Sequence, residues 1–436
     1  MPFNEHVYDA AVQIARPLLR IAAPFSTKLR AGLNGRRGAR DHLIAWARQH
    51  RDRSHPLVWV HAPSVGESLM AQAIIDELRA LLPGVQIAFT HFSPSAIRVA
   101  ERVGADVFGY LPWDTQRDAA EVIGALAPSA IVFVRSEIWP ALVREASAQK
   151  IPTVLVNAVL ASRSSRLKGT SRWLLGSAYR RLSAIGAVAQ DHADRFRRLG
   201  VSSRRIQVTG DARFDQVAAR VAKLDLEQPL LQRLHDPSLL TIVAGSTWPS
   251  DEAELLPALA SARKGRPMRI IIAPHEPDAT HVRGLEHRLT SCGFAHARLS
   301  AIENSADKLA EVIVVDRIGV LADLYAIANV AYVGGGFHDA GLHSVVEPAA
   351  LGVPVVFGPR HGNAREADEL AGKSGGFVAS DGPALATIIL DLAARPVHLR
   401  TSSEAARRFV QMRLGGARRN AELVAGLLKR GGGVDG

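Results

Sequence analysis

The chain has 436 residues, too many for one ordinary core at roughly 150 per domain, so two or three folded units are expected. Apolar residues at 47% and charged residues at 22% exclude a wholly disordered or collagen-like chain, and a single cysteine, Cys292, excludes an internal disulfide framework and a thiolate metal cluster. The 53 Lys and Arg against 42 Asp and Glu leave +11, a surplus that favours anionic partners such as nucleic acid, anionic lipid or a phosphorylated substrate.

Residues 1–54 read as an amphipathic and basic, membrane-proximal segment. Val7 to Phe25 is rich in apolar residues, but Asp9, Arg16 and Arg20 interrupt it and Pro17 is expected to kink it, so it makes a poor spanning helix. It also lacks the order and cleavage site of a signal peptide. Apolar side chains at 11, 14, 15, 18, 22 and 25 recur at helical spacing. That period serves a helix lying in a bilayer surface and a helix packed on its own domain alike. A basic run follows: Lys28, Arg30, Arg36, Arg37, Arg40, Arg48, Arg51 and Arg53 against Asp41 and Asp52.

From residue 55 the pattern becomes regular. Val58–His61, Ile87–Phe92, Val107–Tyr110, Ala130–Val134, Thr153–Asn157 and Ile185–Ala189 read as strands, with helical stretches between them. Nearly continuous apolar strands spaced by helices indicate a parallel sheet covered on both faces. This gives a first Rossmann-like domain over 55–225, and the charged stretch Arg220–Pro237 reads as a linker. Leu240–Ala244, Met268–Ala273, Val312–Val315, Val330–Val333, Pro354–Phe357 and Phe377–Ala379 then repeat the pattern over 238–400. The tail, 401–436, is basic, and Ser402–Lys429 reads as one long helix. Ligands of such sheets bind beyond the carboxyl ends of strands, and with two units the cleft between them is the natural site.

The loop His61-Ala-Pro-Ser-Val-Gly-Glu67 ends the first strand and opens a helix. Ser64-x-x-Glu67 fits a capping box, while Gly66 permits close backbone approach and the positive helix end favours the charged form of a carboxylate placed there. A cap and a functional carboxylate are both compatible with this pattern. Glu137 stands at the next such junction, in Arg135-Ser-Glu-Ile-Trp-Pro140, as a functional group or a first-turn charge. Asn157 to Ser164, with Arg163, forms a polar loop on the same rim, and Gly210 to Asp215 carries a paired Arg213 and Asp.

In the second half, Gly245-Ser246-Thr247 lies between a strand and a helix, where backbone N–H groups and two hydroxyls make an anion site plausible. His275 closes the next strand and can donate to a phosphate when protonated. The densest signal is Val333-Gly334-Gly335-Gly336, followed by Gly341-Leu-His343-Ser344 and Glu347. Glycines let the backbone reach phosphate, and a carboxylate a turn into a helix can accept from ribose hydroxyls. No Gly-Lys-Ser/Thr follows, so a nucleotide-sugar site fits better than a Walker loop. Gly358 to Asn363 supplies further donors. No Asp-x-Asp stands at a strand end and no His/Cys/carboxylate spacing suggests zinc or iron, so neither a metal nor another cofactor is expected.

These loops, in this order, resemble those of the lipid A Kdo transferases, which move 3-deoxy-D-manno-octulosonic acid (Kdo) from CMP-Kdo onto a lipid A precursor in lipopolysaccharide biosynthesis. The family's His-x-x-Ser-Val-Gly-Glu is present as His61–Glu67, its Glu-x-Trp-Pro as Glu137–Pro140, and its Asn-Ala-x-x-Ser-x-Arg-Ser approximately as Asn157–Ser164. Its Gly-Ser-Thr, Val-Gly-Gly and Gly-Pro-x-x-x-Asn correspond to Gly245–Thr247, Val333–Gly335 and Gly358–Asn363, the last one residue shorter. The pattern departs from the family at Arg135, at His275-Glu276 and at Ser344.

The resemblance implies an α/β chain of GT-B architecture, two Rossmann-like domains with a cleft between them, the second holding the donor. It implies an inverting glycosyltransferase without a bound metal, at the cytoplasmic face of the bacterial inner membrane. Glu67 is implied as general base and Glu137 as a residue near the acceptor or the donor sugar. Gly245, Ser246, Thr247, His275, Gly334, Gly335, Gly336, His343, Ser344, Glu347 and Asn363 fall on the donor side; His61, Ser64, Gly66, Arg163 and Arg213 fall on the acceptor side. The partners implied are CMP-Kdo, a lipid A precursor and an anionic membrane surface, with no nucleic acid. Two rivals remain on sequence grounds: another GT-B enzyme using a UDP-sugar, and a non-catalytic basic protein that binds anions or nucleic acid.

Overall fold

The apolar runs become parallel strands in the computed structural model, which describes residues 2–303 and 308–431. Met1 of the N-terminal segment, residues 304–307 of the second domain and 432–436 of the tail lie outside the described residues. In the first half the strands are β1 Leu57–His61, β2 Gln86–His91, β3 Val107–Tyr110, β4 Ala130–Val134, β5 Thr153–Ala158, β6 Ala184–Ala187 and β7 Ile206–Val208. They form one sheet in the order β3-β2-β1-β4-β5-β6-β7. The second half contributes β8 Leu240–Thr247, β9 Met268–Pro274, β10 His296–Arg298, β11 Val312–Val314, β12 Val330–Val333, β13 Val355–Phe357 and β14 Gly376–Val378, in the order β10-β11-β9-β8-β12-β13-β14. The edge strands β7 and β10 are short and only partly buried, and their sequences carry no apolar run that marks them as strands.

The chain divides into two units, Met1–Gln216 with Arg413–Gly436, and Val217–Met412. In unit 1 all five residues of β1 are buried and split between the two faces of the sheet. Leu57 and Trp59 join Ile131, Phe133 and Leu155 on one side; Val58 and Val60 join Val132, Val134 and Val154 on the other. The register Val58↔Ile87 and Val60↔Phe89 keeps these layers aligned. Alternation within an all-apolar strand is what two-sided burial requires, and truncating a buried aromatic such as Phe133 to Ala costs about 3–5 kcal/mol.

Three features differ from the sequence reading. The stretch Arg220–Pro237 is not a bare linker: Pro229–Leu234 is helical, and Leu231 and Leu234 are buried against Val243 and Ile271. The tail is two helices, Pro396–Gln411 in unit 2 and Gly416–Gly431 in unit 1. The break falls at Gly415, whose φ of 89° lets the chain turn, and Asp215 accepts from the N–H groups of Gly415 (2.6 Å) and Ala417 (3.0 Å) to start the second helix. That helix buries Ala417, Ala421 and Val424 against the Val65–Leu81 helix and strands β4–β6.

Thirdly, the N-terminal segment folds as α1 Phe3–Ala22, which runs through Pro17, α2 Thr27–Gly35 and α3 Ala39–His50. α1 presents its polar side to the domain. The Asn4 amide donates to the Trp173 carbonyl, Tyr8 donates to Asp114 at 2.7 Å, Asp9 pairs with Arg144 at 2.8 Å, and Glu5 pairs with Arg181. The opposite side carries Phe3, Val7, Ile14, Leu18 and Ile21, with Phe25 in the turn just beyond it, all exposed. Part of the basic run is also spent inside the fold: Arg40 pairs with Asp41 and Glu121, and Arg51 donates to the Leu126 carbonyl. Among the described residues no helix is long and apolar enough to cross a membrane.

Candidate active site

In unit 1 the strand ends open onto a cavity of about 800 Å³. Its wall combines apolar side chains from the N-terminal helices, Leu19, Leu29 and Leu33, with Phe92 and Trp139, and into this wall are set Glu67, Glu137, Lys28, Arg36 and Arg166. Helix α4, Val65–Leu81, brings Glu67 there in its first turn.

The capping box expected at Ser64 does not form. The Ser64 side chain accepts no cap hydrogen bond; instead the Ser64 carbonyl takes both the N–H (2.9 Å) and the hydroxyl (2.7 Å) of Ser68. The carboxylate of Glu67 is therefore not consumed by its own helix start, and its Oε2 is buried with no partner. A side chain at Gly66 would meet open space, so the backbone there is accessible.

Glu137 follows β4 on the same wall. Burial pushes its carboxyl above the usual carboxylate range; Arg166 opposes this, and the charge of Glu67 adds to it. Two carboxyl groups that feel each other in unlike surroundings are the arrangement from which acid and base roles are made. Trp139, just before the Pro140–Ala148 helix, stacks on Phe92 with ring centroids 5.4 Å apart. His61 sits behind them, wholly buried, edge-on to Trp139 at 5.8 Å, and burial lowers it to about 3, so it is neutral.

The other two acceptor-side residues fall elsewhere. Arg163 is exposed and does not line the cavity; Arg166, three residues on, does, because the short turn Ser165–Leu167 carries it inward. Arg213 is bound to its neighbour Asp211 at 2.8 Å. The sequence leaves Arg166 unmarked and marks Arg36 only as one of the basic run, because one arginine among many carries no sign of the wall it faces.

In unit 2 the three glycines are required by chain crossing. A Cβ on Gly334 would lie 2.2 Å from the Ser246 carbonyl oxygen, one on Gly335 2.1 Å from that of Gly341, and one on Gly336 2.3 Å from the Gly358 nitrogen. Gly335 also has φ of 91°. Gly245 meets the Tyr325 hydroxyl in the same way. The hub of the loop is Asp251, in the first turn of the Pro249–Ala262 helix and unmarked by the sequence reading. Wholly buried, it accepts from the N–H groups of Trp248 (2.9 Å), Gly335 (2.8 Å) and Phe337 (3.1 Å) and from the Tyr332 hydroxyl (2.9 Å). Asn363 clamps the next turn, exchanging two hydrogen bonds with the Leu342 backbone at 3.0 and 2.9 Å.

Thr247 does not present its hydroxyl to a ligand. It is buried and donates to Glu252 at 2.9 Å, which also takes His281 at 2.9 Å and Arg288. The start of the Pro249–Ala262 helix thus already holds two buried carboxylates, so the anion site expected at that helix end is occupied by the fold's own acids. Ser246, with φ of 55°, remains partly exposed where the β8–β9 register shifts. His275 and His338 both stack on Trp248, with ring centroids 4.7 and 4.0 Å away, and the indole N–H donates to His343 at 3.3 Å. Burial and the neighbouring His275 hold His343 below the usual range. Ser344 is exposed, and Glu347 is raised by burial, with Arg220 partly offsetting this. Among the described residues no three His, Cys, Asp or Glu side chains converge as metal ligands.

A family model described as 3-deoxy-D-manno-octulosonic-acid transferase (kdotransferase) matches residues 36–216. The chain is 29% identical over 381 residues to a 3-deoxy-D-manno-octulosonic acid transferase of Bordetella pertussis, a match covering 84% of this chain and 86% of that one. It is 32% identical over 317 residues to a 3-deoxy-D-manno-octulosonic acid transferase of Chlamydia pneumoniae, covering 70% and 69%. In fold it is similar to UDP-GlcNAc 2-epimerase from Neisseria meningitidis, with a TM-score of 0.61 and 13% identity over 86% of this chain and 100% of that one. Two Rossmann-like units, each with a parallel seven-stranded sheet, make this the GT-B architecture.

Proposed function

The chain belongs to the 3-deoxy-D-manno-octulosonic acid transferase family, and on that premise we propose that it moves Kdo from CMP-Kdo to a lipid A precursor with Glu67 as general base. The observation that carries the residue assignment is the carboxylate of Glu67, free of its helix cap and set in an apolar cavity wall beside Glu137. Glu67 takes the proton of an acceptor hydroxyl; the oxygen attacks the anomeric carbon of Kdo as the bond to the phosphate breaks, and CMP leaves with the electron pair. In-line displacement inverts that carbon. Glu137, its carboxyl pushed up by burial, donates from its protonated form to an oxygen of the acceptor or of the sugar.

The donor belongs to unit 2 in this reading. Ser246, His275, His343, Ser344 and the backbone of the Gly334–Gly336 loop meet the nucleotide phosphate, with Glu347 for the ribose. Gly245, Thr247 and Asn363 shape that loop from beneath. A monoester phosphate needs fewer cations than a diphosphate, and oriented donors stabilise its developing charge.

The acceptor's apolar chains suit the cavity wall of Leu19, Leu29 and Leu33. The outward face of α1 supports docking on an anionic membrane surface at the cytoplasmic side, since its apolar stripe is exposed while its polar side is bound to the domain. The test is direct: purified protein, CMP-Kdo and a lipid A precursor should yield a lipid heavier by one or more Kdo residues. Protection from thermal unfolding by CMP exceeding that by UDP or UMP is expected; the reverse order supports the UDP-sugar rival.

A further inference from the structure

One cation of the unit 1 cavity has no acid to answer it. Arg36 follows α2, and its guanidinium carbon lies 3.7 Å from the centroid of Phe92 and 5.5 Å from that of Trp113. Its Nε donates to the Leu111 carbonyl at 3.3 Å, while Nη2 is buried without a partner. Among the described residues no carboxylate stands within ion-pair distance of it. Burial pulls the group down to about 10, with Tyr110 the one charge that offsets this. Cation–π contact recovers part of what the charge loses on leaving water, but an unpaired buried cation is unfavourable for the fold.

The surroundings point the same way. Nε2 of His61, Nε2 of His91 and Nε1 of Trp139 are buried and unpartnered. Burial first, and then the charge of Arg36, hold both histidines below their usual range, so neither is an anion's substitute. Arg36 itself lines the cavity that Glu67 and Glu137 share. We propose that Arg36 is the oxyanion-binding residue of this cavity, receiving a phosphate or carboxylate group of a substrate. The guanidinium, held against Phe92, suits a charge-assisted hydrogen bond to either group. The proposal rests on the transferase reading for the identity of the substrates.

The experiment compares the full chain with R36Q and R36K in steady-state transfer, using CMP-Kdo with a phosphorylated lipid A precursor and with the same lipid after phosphatase treatment. R36Q should raise one KM on the order of 10-fold or more with kcat little changed, and R36K should recover part of it. A rise confined to the acceptor, and absent with the dephosphorylated lipid, assigns the anion to the acceptor's phosphate. A rise confined to CMP-Kdo assigns the anion to the donor. The Tm of R36Q without substrate should equal or exceed that of the wild type. A lowered Tm with both KM values unchanged makes Arg36 a structural strut and overturns the proposal. If the wild type does not transfer Kdo, the transferase reading fails, and inorganic phosphate decides this one separately. It should raise the Tm of the wild type more than that of R36Q, and equal shifts overturn the oxyanion role.

Discussion

Glu67 and Glu137 stand on one wall, yet only the first has a carboxylate oxygen buried without a partner, and only the second has its carboxyl pushed above the usual range by burial. Glu67→Gln keeps the shape and removes the base. Transfer should fall by a factor on the order of 10² or more while thermal melting stays near wild type, and near-normal turnover takes Glu67 out of the role. Glu137 makes a different prediction. Its carboxyl is raised in the folded state, so the native protein binds the proton more tightly than the unfolded chain does. Its contribution to stability is then present below the ordinary carboxylate range and is lost as pH rises through the folded value. Glu137→Gln should therefore gain stability over the wild type at neutral pH, with the gap closing as pH falls below that range. Denaturant melts at several pH values check this, and a gap independent of pH contradicts it.

At the scale of elements, α1 shows what a periodic pattern carries and what it leaves open. The helical spacing is legible in the sequence, but the side that faces inward is not, because it is chosen by partners far along the chain: Trp173 for Asn4, Asp114 for Tyr8 and Arg144 for Asp9. The central strands are legible because burial on both faces leaves them continuously apolar. The loops are legible as addresses only: Thr247, Arg163 and Arg213 sit at strand ends as expected, yet their polar atoms face Glu252, solvent and Asp211. The outward stripe of α1 gives a prediction of its own. Ile14→Asp with Leu18→Asp should weaken binding to anionic vesicles several-fold in co-sedimentation, and should leave Tm unchanged because both side chains are exposed. Undiminished binding removes α1 from the membrane contact.

For the molecule as a whole, the decisive connection is the return of the Gly416–Gly431 helix to unit 1. Its Asn420 is wholly buried, accepts from the Asn157 N–H and the Thr209 hydroxyl, both at 3.0 Å, and donates to the Gly416 carbonyl at 2.8 Å. Asn157 in turn holds the Ala212 N–H at 2.8 Å, so the end of β5 and the exit of the first half are tied by one amide. Asn420→Ala leaves the buried Asn157 N–H without an acceptor, at a cost of about 1–3 kcal/mol, and leaves the Thr209 hydroxyl only the Ala187 carbonyl at 3.5 Å. Hydrogen exchange should show the loss in unit 1 strands, with β8, β9 and β12 protected as before; an equal loss in both sheets contradicts this division.

The same return has a consequence for how the protein is made. Residues 217–412 are synthesised before the Gly416–Gly431 helix emerges, so a growing chain carries its first half with the surface of α4 and of β4–β6 that this helix packs on still uncovered. A chain cut short of Gly416 has a second half able to close its own core and a first half with part of its core left open to water.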